Sequence, residues 1–192
     1  TARHEAGHAM MAYDDKYCEN PAYMVIKARG EYLGFVRYDK DELASPSNKA
    51  EMLAQIRSLL AGRGAEKAFY ESDEGYSSGA SDDLKKASRI ALSMVTRYGM
   101  GNMLFSFDIS SPTPASCIRE ANSILEEENE IVDMFMEHHK SLVDALAHGV
   151  LERGYMTGSE IDAYVRTFRI ALGQNKYSEA DCPHEFIEDI SK

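Results

Sequence analysis

The sequence predicts a mainly α-helical domain with one small β element, an α+β arrangement around a single core. Three observations predict it. Apolar residues recur at the 3.6-residue period over most of the length, while strand-like patterning is confined to two short neighbouring segments. A chain of 192 residues with 44% hydrophobic content is also long enough to close one substantial core without disulfide staples.

Thr1 to about Tyr17 reads as the first helix, in which Ala2, Ala6, Gly7, Ala9 and Ala12 allow close packing against neighbours. Glu19-Asn20-Pro21 breaks that pattern. Tyr23–Lys27 and Leu33–Tyr38 read as two short strands joined through Arg29-Gly30 as a hairpin. After the polar stretch Asp39–Asn48, a helix of about Lys49–Tyr70 carries Leu53, Ile56, Leu59 and Leu60 at helical spacing, with Ser47 or Asn48 as its cap. Glu71–Ala80, rich in Gly, Ser and acid, reads as a loop. Ser81 then opens a helix to about Tyr98 that stops at Gly99. Gly101–Ser116, with Pro112 and Pro114, reads as irregular. One long helix is expected from Ile118 or Ser123 to Glu152, ending at Gly154. Thr157-Gly158-Ser159-Glu160 is a capping box that starts a last helix through Ile161, Tyr164, Val165, Phe168 and Leu172. Residues 1–172 are therefore expected to form the domain, and residues 173–192 a polar, acidic tail.

Charge narrows the function classes. Lys plus Arg number 21 against 32 for Asp plus Glu, a net −11, which argues against a nucleic-acid binder with its basic footprint. No apolar run approaches the ~20 residues that cross a bilayer, and no signal-peptide pattern opens the chain. Cys18, Cys117 and Cys182 are far apart, which suits a reducing compartment and neither a disulfide framework nor a cysteine zinc knuckle. The chain opens at Thr1 with a helix under way, as expected of a piece cut from a longer polypeptide.

The chemistry lies in His4-Glu5-Ala6-Gly7-His8, an HExxH sequence within the first helix. Spacing of i, i+4 puts both imidazoles on one face, about 6 Å apart along the axis. From there both ring nitrogens can reach one zinc ion at about 2.0–2.1 Å. Glu5 projects beside the metal, where its carboxylate can take the proton of a metal-activated water as it attacks a peptide carbonyl. With 6 His, chance alone would supply about 0.02 such matches in a chain of this composition, so accident is a poor explanation.

Two histidines need a third protein ligand. The extended metzincin form is excluded, because Met11 stands in place of its glycine and Asp14 in place of its third histidine. Carboxylates remain, and Ser81-Asp82-Asp83-Leu84 opens a helix with two of them. Asp82 shares a stripe with Lys85, Lys86 and Arg89 and reads as solvated, whereas Asp83 shares an apolar stripe with Ala87, Ile90 and Met94. An acid at the end of a buried stripe needs a partner, and a metal is a suitable one. Both aspartates could instead simply serve the helix start; beside an HExxH, Asp83 is the better candidate.

His4-Glu5-Ala6-Gly7-His8 followed by Arg29-Gly30-Glu31-Tyr32-Leu33-Gly34 resembles the peptidase domain of the FtsH family, the membrane-anchored AAA metalloproteases. Ala61-Gly62-Arg63-Gly64-Ala65-Glu66 resembles the family's GGRxAEE stretch, Gly79–Leu84 its GAxNDL, and Met94–Met100 its MVxxYGM. Leu142, Leu146, Ala147, Leu151 and Glu152 fit a late helix with a similar leucine pattern. The match runs in order over about residues 1 to 165, and several motifs in register are far more specific than HExxH alone. The resemblance implies a helical zinc-metallopeptidase domain with a small β-hairpin, one zinc per chain, and Asp83 as third ligand beside His4 and His8. Ala28, Ala61, Lys67 and Asp82 depart from the family pattern, but none removes a ligand or the base.

For the intact protein the resemblance implies a hexameric, ATP-dependent protease that acts on unfolded or tagged polypeptides. ATP and membrane would enter only through segments outside this chain, with this domain on the cytoplasmic side in bacteria or in an equivalent organellar compartment. Two rival readings are a non-proteolytic zinc-bearing module of ring assembly, disfavoured by the intact Glu5, and a stand-alone zinc peptidase, disfavoured by the opening at Thr1. Glu66 is a candidate to hydrogen-bond the free nitrogen of a ligand histidine, or else a structural acid after Arg63. Strand Leu33–Tyr38 is a candidate edge for an extended substrate, or else a plain hairpin strand. His138, His139, His148 and His184 read as ordinary histidines, Glu126–Glu130 as a solvated helix face, and the methionines as core filler.

Overall fold

The computed structural model describes residues 1–29, 31–38, 48–70, 77–102, 104, 106 and 112–171. The first helix, α1 (Ala2–Asp14), is the centre of the fold, with every residue from His4 to Ala12 buried. Helices α2 (Lys49–Phe69) and α5 (Lys140–Arg153) and the strands β1 (Pro21–Arg29) and β2 (Glu31–Tyr38) pack round it. Small residues make that possible. A Cβ added at Gly7 would lie 2.6 Å from Ala65 Cβ and 2.7 Å from the Ala61 carbonyl oxygen, so only glycine lets α1 and α2 approach this closely. The helix stops at Asp14 rather than Tyr17, because Asp15 is already extended.

The two expected strands pair antiparallel, from Met24↔Val36 to Arg29↔Glu31. A third strand, β3 (Tyr155–Thr157), which the sequence does not announce, pairs with β1 on its other side and gives the order β2-β1-β3. Three residues are too few to show alternation; β3 exists because Gly154, at φ +74, turns the chain back onto β1, where the Gly154 carbonyl accepts from Ile26 N. Met24, Ile26 and Met156 form the buried face of the sheet. On the outer face the Tyr23 ring packs against Phe35 and Tyr155, centroids 5.9 and 5.6 Å apart.

Helix α2 begins in a capping box between Asn48 and Glu51, which selects Asn48 as the cap. A short 3-10 turn (Ser78–Ala80) leads into α3 (Ser81–Thr96). The single long helix expected from Ile118 or Ser123 to Glu152 is two helices, α4 (Ala115–His138) and α5. The corner is His139, at φ −97 ψ 13. Its ring packs 4.2 Å from Phe135 and its Nδ1–H donates to the Phe135 carbonyl, so side-chain packing turns the chain where no Gly or Pro marks a break. The last helix, α6 (Gly158–Ala171), starts at the expected box, with Thr157 N donating to the Glu160 carboxylate at 2.8 Å. One hydrophobic cluster draws on every helix and on β1 and β3, and buried methionines fill much of it. Leu172, Cys182, His184 and the expected tail 173–192 lie outside the described residues, as do residues 39–47 and 71–76 of the expected loops.

One expectation on charge is corrected. Within the run Glu126–Glu130, Glu128 is buried rather than solvated, and its Oε2 accepts from Arg57 Nη1 at 2.5 Å. Arg57 Nε donates in turn to Asp15 Oδ2 at 2.8 Å, so a fully buried guanidinium ties the end of α1 to α4 through α2. Removing the cation would strand two buried carboxylates. Arg57→Met is expected to cost about 3–5 kcal/mol of stability, read as a lower denaturant midpoint; an unchanged midpoint would contradict the bridge.

Candidate metal centre

His4 and His8 stand one turn apart on α1, buried, with ring centroids 4.7 Å apart and the rings edge to face. Their Nε2 atoms face each other at 3.1 Å. Asp83, in the first turn of α3, brings Oδ2 to 3.5 Å from His4 Nε2 and 3.4 Å from His8 Nε2. For a tetrahedral ion with bonds of ~2.0–2.1 Å, the separation between two ligand atoms is about 3.3–3.4 Å. The triangle has those dimensions. Among the described residues this is the one group of three His, Cys, Asp or Glu side chains whose ligand atoms converge within 4.8 Å.

The far side of each ring decides what the near side presents. His8 Nδ1 lies 2.7 Å from the Ser58 carbonyl oxygen, which can only accept, so Nδ1 carries the proton and the neutral ring presents its lone pair at Nε2. His4 Nδ1 is buried without an aligned hydrogen bond, and Glu66 Oε1 lies 3.3 Å from it. A proton on that nitrogen leaves His4 Nε2 with a lone pair too. With both rings neutral, three electron-pair donors then crowd one point, an arrangement that is costly without a proton or a cation between them. The residues fit a zinc ion.

The charges agree. Burial pushes the Asp83 carboxyl up, but the hydrogen bonds and charges of His4 and His8 outweigh it and hold the group well below the usual carboxylate range. Burial pushes the His8 imidazole down, and Asp83, with Glu5 and the Ser58 carbonyl, more than reverses that. Glu5 is buried next to His4, and desolvation raises its pKa against the pull of His8 and His4. Its nearest wall is β2, where a Cβ added at Gly34 would lie 2.5 Å from Glu5 Cγ and 2.9 Å from Oε1.

Asp82 is exposed and accepts from Lys85 Nζ at 3.1 Å. Ala80, at the cap position of α3, has no side chain to bond the helix start. Glu66 is buried, and both its oxygens accept from Ser77, Oε1 from Oγ at 2.6 Å and Oε2 from the backbone N at 3.0 Å. A cleft lined by Arg3, His4, Glu66, Tyr70, Asp144 and His148 opens on this Nδ1 side of His4, away from the converging atoms.

Several contributors escape sequence reasoning. Gly62 on α2 forms the wall of the site, for a Cβ there would lie 2.5 Å from His8 Nε2 and 2.6 Å from His4 Nε2. Its signal was present: a glycine inside a helix costs about 1 kcal/mol against alanine and so points to a packing reason. The Ser58 carbonyl is a backbone group and leaves no trace in residue identity.

The profile of Peptidase family M41 matches residues 1–113, a span that contains His4, Glu5, His8, Gly62, Glu66 and Asp83. The chain belongs to Peptidase family M41. Among its relatives are the ATP-dependent zinc metalloprotease YME1 homolog of Schizosaccharomyces pombe, 32% identical over 93% of this chain and 26% of the relative. The ATP-dependent zinc metalloprotease FtsH of Aster yellows witches'-broom phytoplasma is 29% identical over 99% of this chain and 29% of its own length. A mitochondrial inner membrane m-AAA protease component of Schizosaccharomyces pombe, yta12, is 29% identical over 98% of this chain and 26% of its own length. This M41 chain thus spans little more than a quarter of those relatives. The resemblance to FtsH-type proteases and the mainly helical α+β class are both borne out. Among the described residues, no helix is long and apolar enough to cross a membrane.

Proposed function

We propose that this M41 chain is the zinc endopeptidase domain of an ATP-dependent, membrane-anchored protease. His4, His8 and Asp83 hold one zinc per chain, and Glu5 is the general base. The observation that carries the reading is the convergence of two imidazole Nε2 atoms and one carboxylate oxygen, 3.1 to 3.5 Å apart, the spacing of ligands about one tetrahedral ion. Zinc there supplies a Lewis acid that acidifies water and polarises the scissile carbonyl. The Ser58 carbonyl holds His8 in the Nδ1–H form, and Glu66 stands behind His4 with Oε1 3.3 Å from its Nδ1. Glu5, with its carboxyl poised upward by burial, takes the proton of the attacking water and returns it to the leaving amine.

The substrate class is an unfolded polypeptide. Among the described residues β2 has no strand partner on its outer side, and Gly34 at its middle lies against Glu5. An extended peptide pairing along that edge is held by backbone bonds, which tolerate many side chains. The hexamer, the ATP-driven delivery of unfolded or tagged proteins, and the position of this domain on the cytoplasmic or equivalent organellar side of the anchoring membrane belong to the same reading. They rest on the names of the longer relatives and on the FtsH resemblance.

The test is zinc stoichiometry with casein cleavage. The metal-free chain should take up one zinc and then cleave unfolded casein. Asp83→Asn should weaken zinc by more than about 100-fold, beyond the loss typical of an outer partner. Zinc bound equally well by Asp83→Asn would remove Asp83 from the ligand set, and tight zinc without any cleavage would favour a module of ring assembly.

A further inference from the structure

The hydrogen bonds around Glu66 reach beyond the ligand set. Ser77 grips both oxygens of one buried carboxylate, its Oγ–H donating to Oε1 at 2.6 Å and its N–H to Oε2 at 3.0 Å. Held at two points, the Glu66 carboxylate is fixed beside the buried Nδ1 of His4, with Oε1 3.3 Å away. That nitrogen has no aligned hydrogen bond among the described residues. Ser77 is also the cap of the 3-10 turn Ser78–Ala80, with its Oγ accepting from Gly79 N at 3.3 Å. The turn runs directly into α3 and Asp83.

We propose that Ser77 is a positioning residue of the metal centre. Through Glu66 it fixes the tautomer and tilt of His4, and through the turn it anchors the start of the helix that presents Asp83. The two ligands come from helices far apart in the chain, and this serine is where their supports meet. The inference rests on the zinc reading above. Ser77 is exposed, so its truncation removes a hydrogen-bond donor without opening the core.

The experiment measures zinc affinity by competition with a chromophoric chelator, and the visible bands of the cobalt(II)-substituted chain, neither of which needs turnover. Ser77→Ala should weaken zinc about tenfold, the lower end for loss of an outer partner, and shift the cobalt bands. Ser77→Thr, which keeps the hydroxyl, should restore both. In a Glu66→Ala background the serine substitution should cost less than it does in the parent, because its route to His4 is gone and only its route through the turn remains. Affinity within twofold of the parent in Ser77→Ala, failure of threonine to rescue, or an equal loss with and without Glu66 would each overturn the proposal. A parent that binds zinc no tighter than His8→Ala would instead defeat the zinc reading itself, so the two failures are told apart.

Discussion

Glu5→Gln is expected to abolish measurable casein cleavage, lowering kcat by about 10²–10⁴-fold, while zinc content stays at one per chain. The amide matches the carboxylate in size and fits against Gly34, where Glu5 Oε1 has little spare room. What it lacks is basicity. A glutamine cannot take the proton of the attacking water or hand it to the departing nitrogen, so the loss falls on the chemical step. Peptide affinity should change little, because the edge of β2 and the His4, His8 and Asp83 side chains are untouched. Casein cleavage and zinc stoichiometry measured on one preparation decide the matter. If the variant keeps a tenth or more of the parental rate, another group performs the proton transfer.

Gly62→Ala is expected to weaken zinc by more than about 100-fold, at or beyond the largest effects of residues outside the ligand set. The added methyl would lie 2.5 Å from His8 Nε2 and His4 Cε1 and 2.6 Å from His4 Nε2, at the side where the ligand atoms converge. Neither ring can yield easily. His8 is pinned at Nδ1 to the Ser58 carbonyl, His4 is backed by Glu66, and Gly7 against Ala61 and Ala65 fixes the crossing of α1 on α2. Alanine is the better helix former by about 1 kcal/mol, so helicity should survive by circular dichroism. Zinc affinity within threefold of the parent would show that the rings move aside and that Gly62 is no wall of the site.

Legibility was uneven, and for physical reasons. The spacing of His4 and His8 on α1 is a local property, since i, i+4 histidines share a face in any α-helix. Asp83 was legible because its neighbours Ala87 and Met94 had to face inward, which leaves the residue one turn earlier on the same side. The hairpin and the capping boxes at Asn48 and Thr157 are short-range signals of the same kind. The corner at His139 was not legible, because ring packing on Phe135 replaces the usual breaker. Glu128 was misread because a run of acids looks solvated until a buried arginine from another helix arrives to meet one of them.

By itself, then, the order of residues determined the helical class, the two imidazoles on one face, the glutamate beside them and the side of α3 on which an acid would stand. These follow from backbone periodicity, which acts over a few residues. Only the tertiary structure decided that Gly62 clears the space between the rings, that the Ser58 carbonyl meets the far nitrogen of His8 while Glu66 stands 3.3 Å from that of His4, and that β2, an edge strand among the described residues, lies beside Glu5. Those are contacts between groups remote in the chain, and their distances depend on how the helices cross, which no local pattern contains.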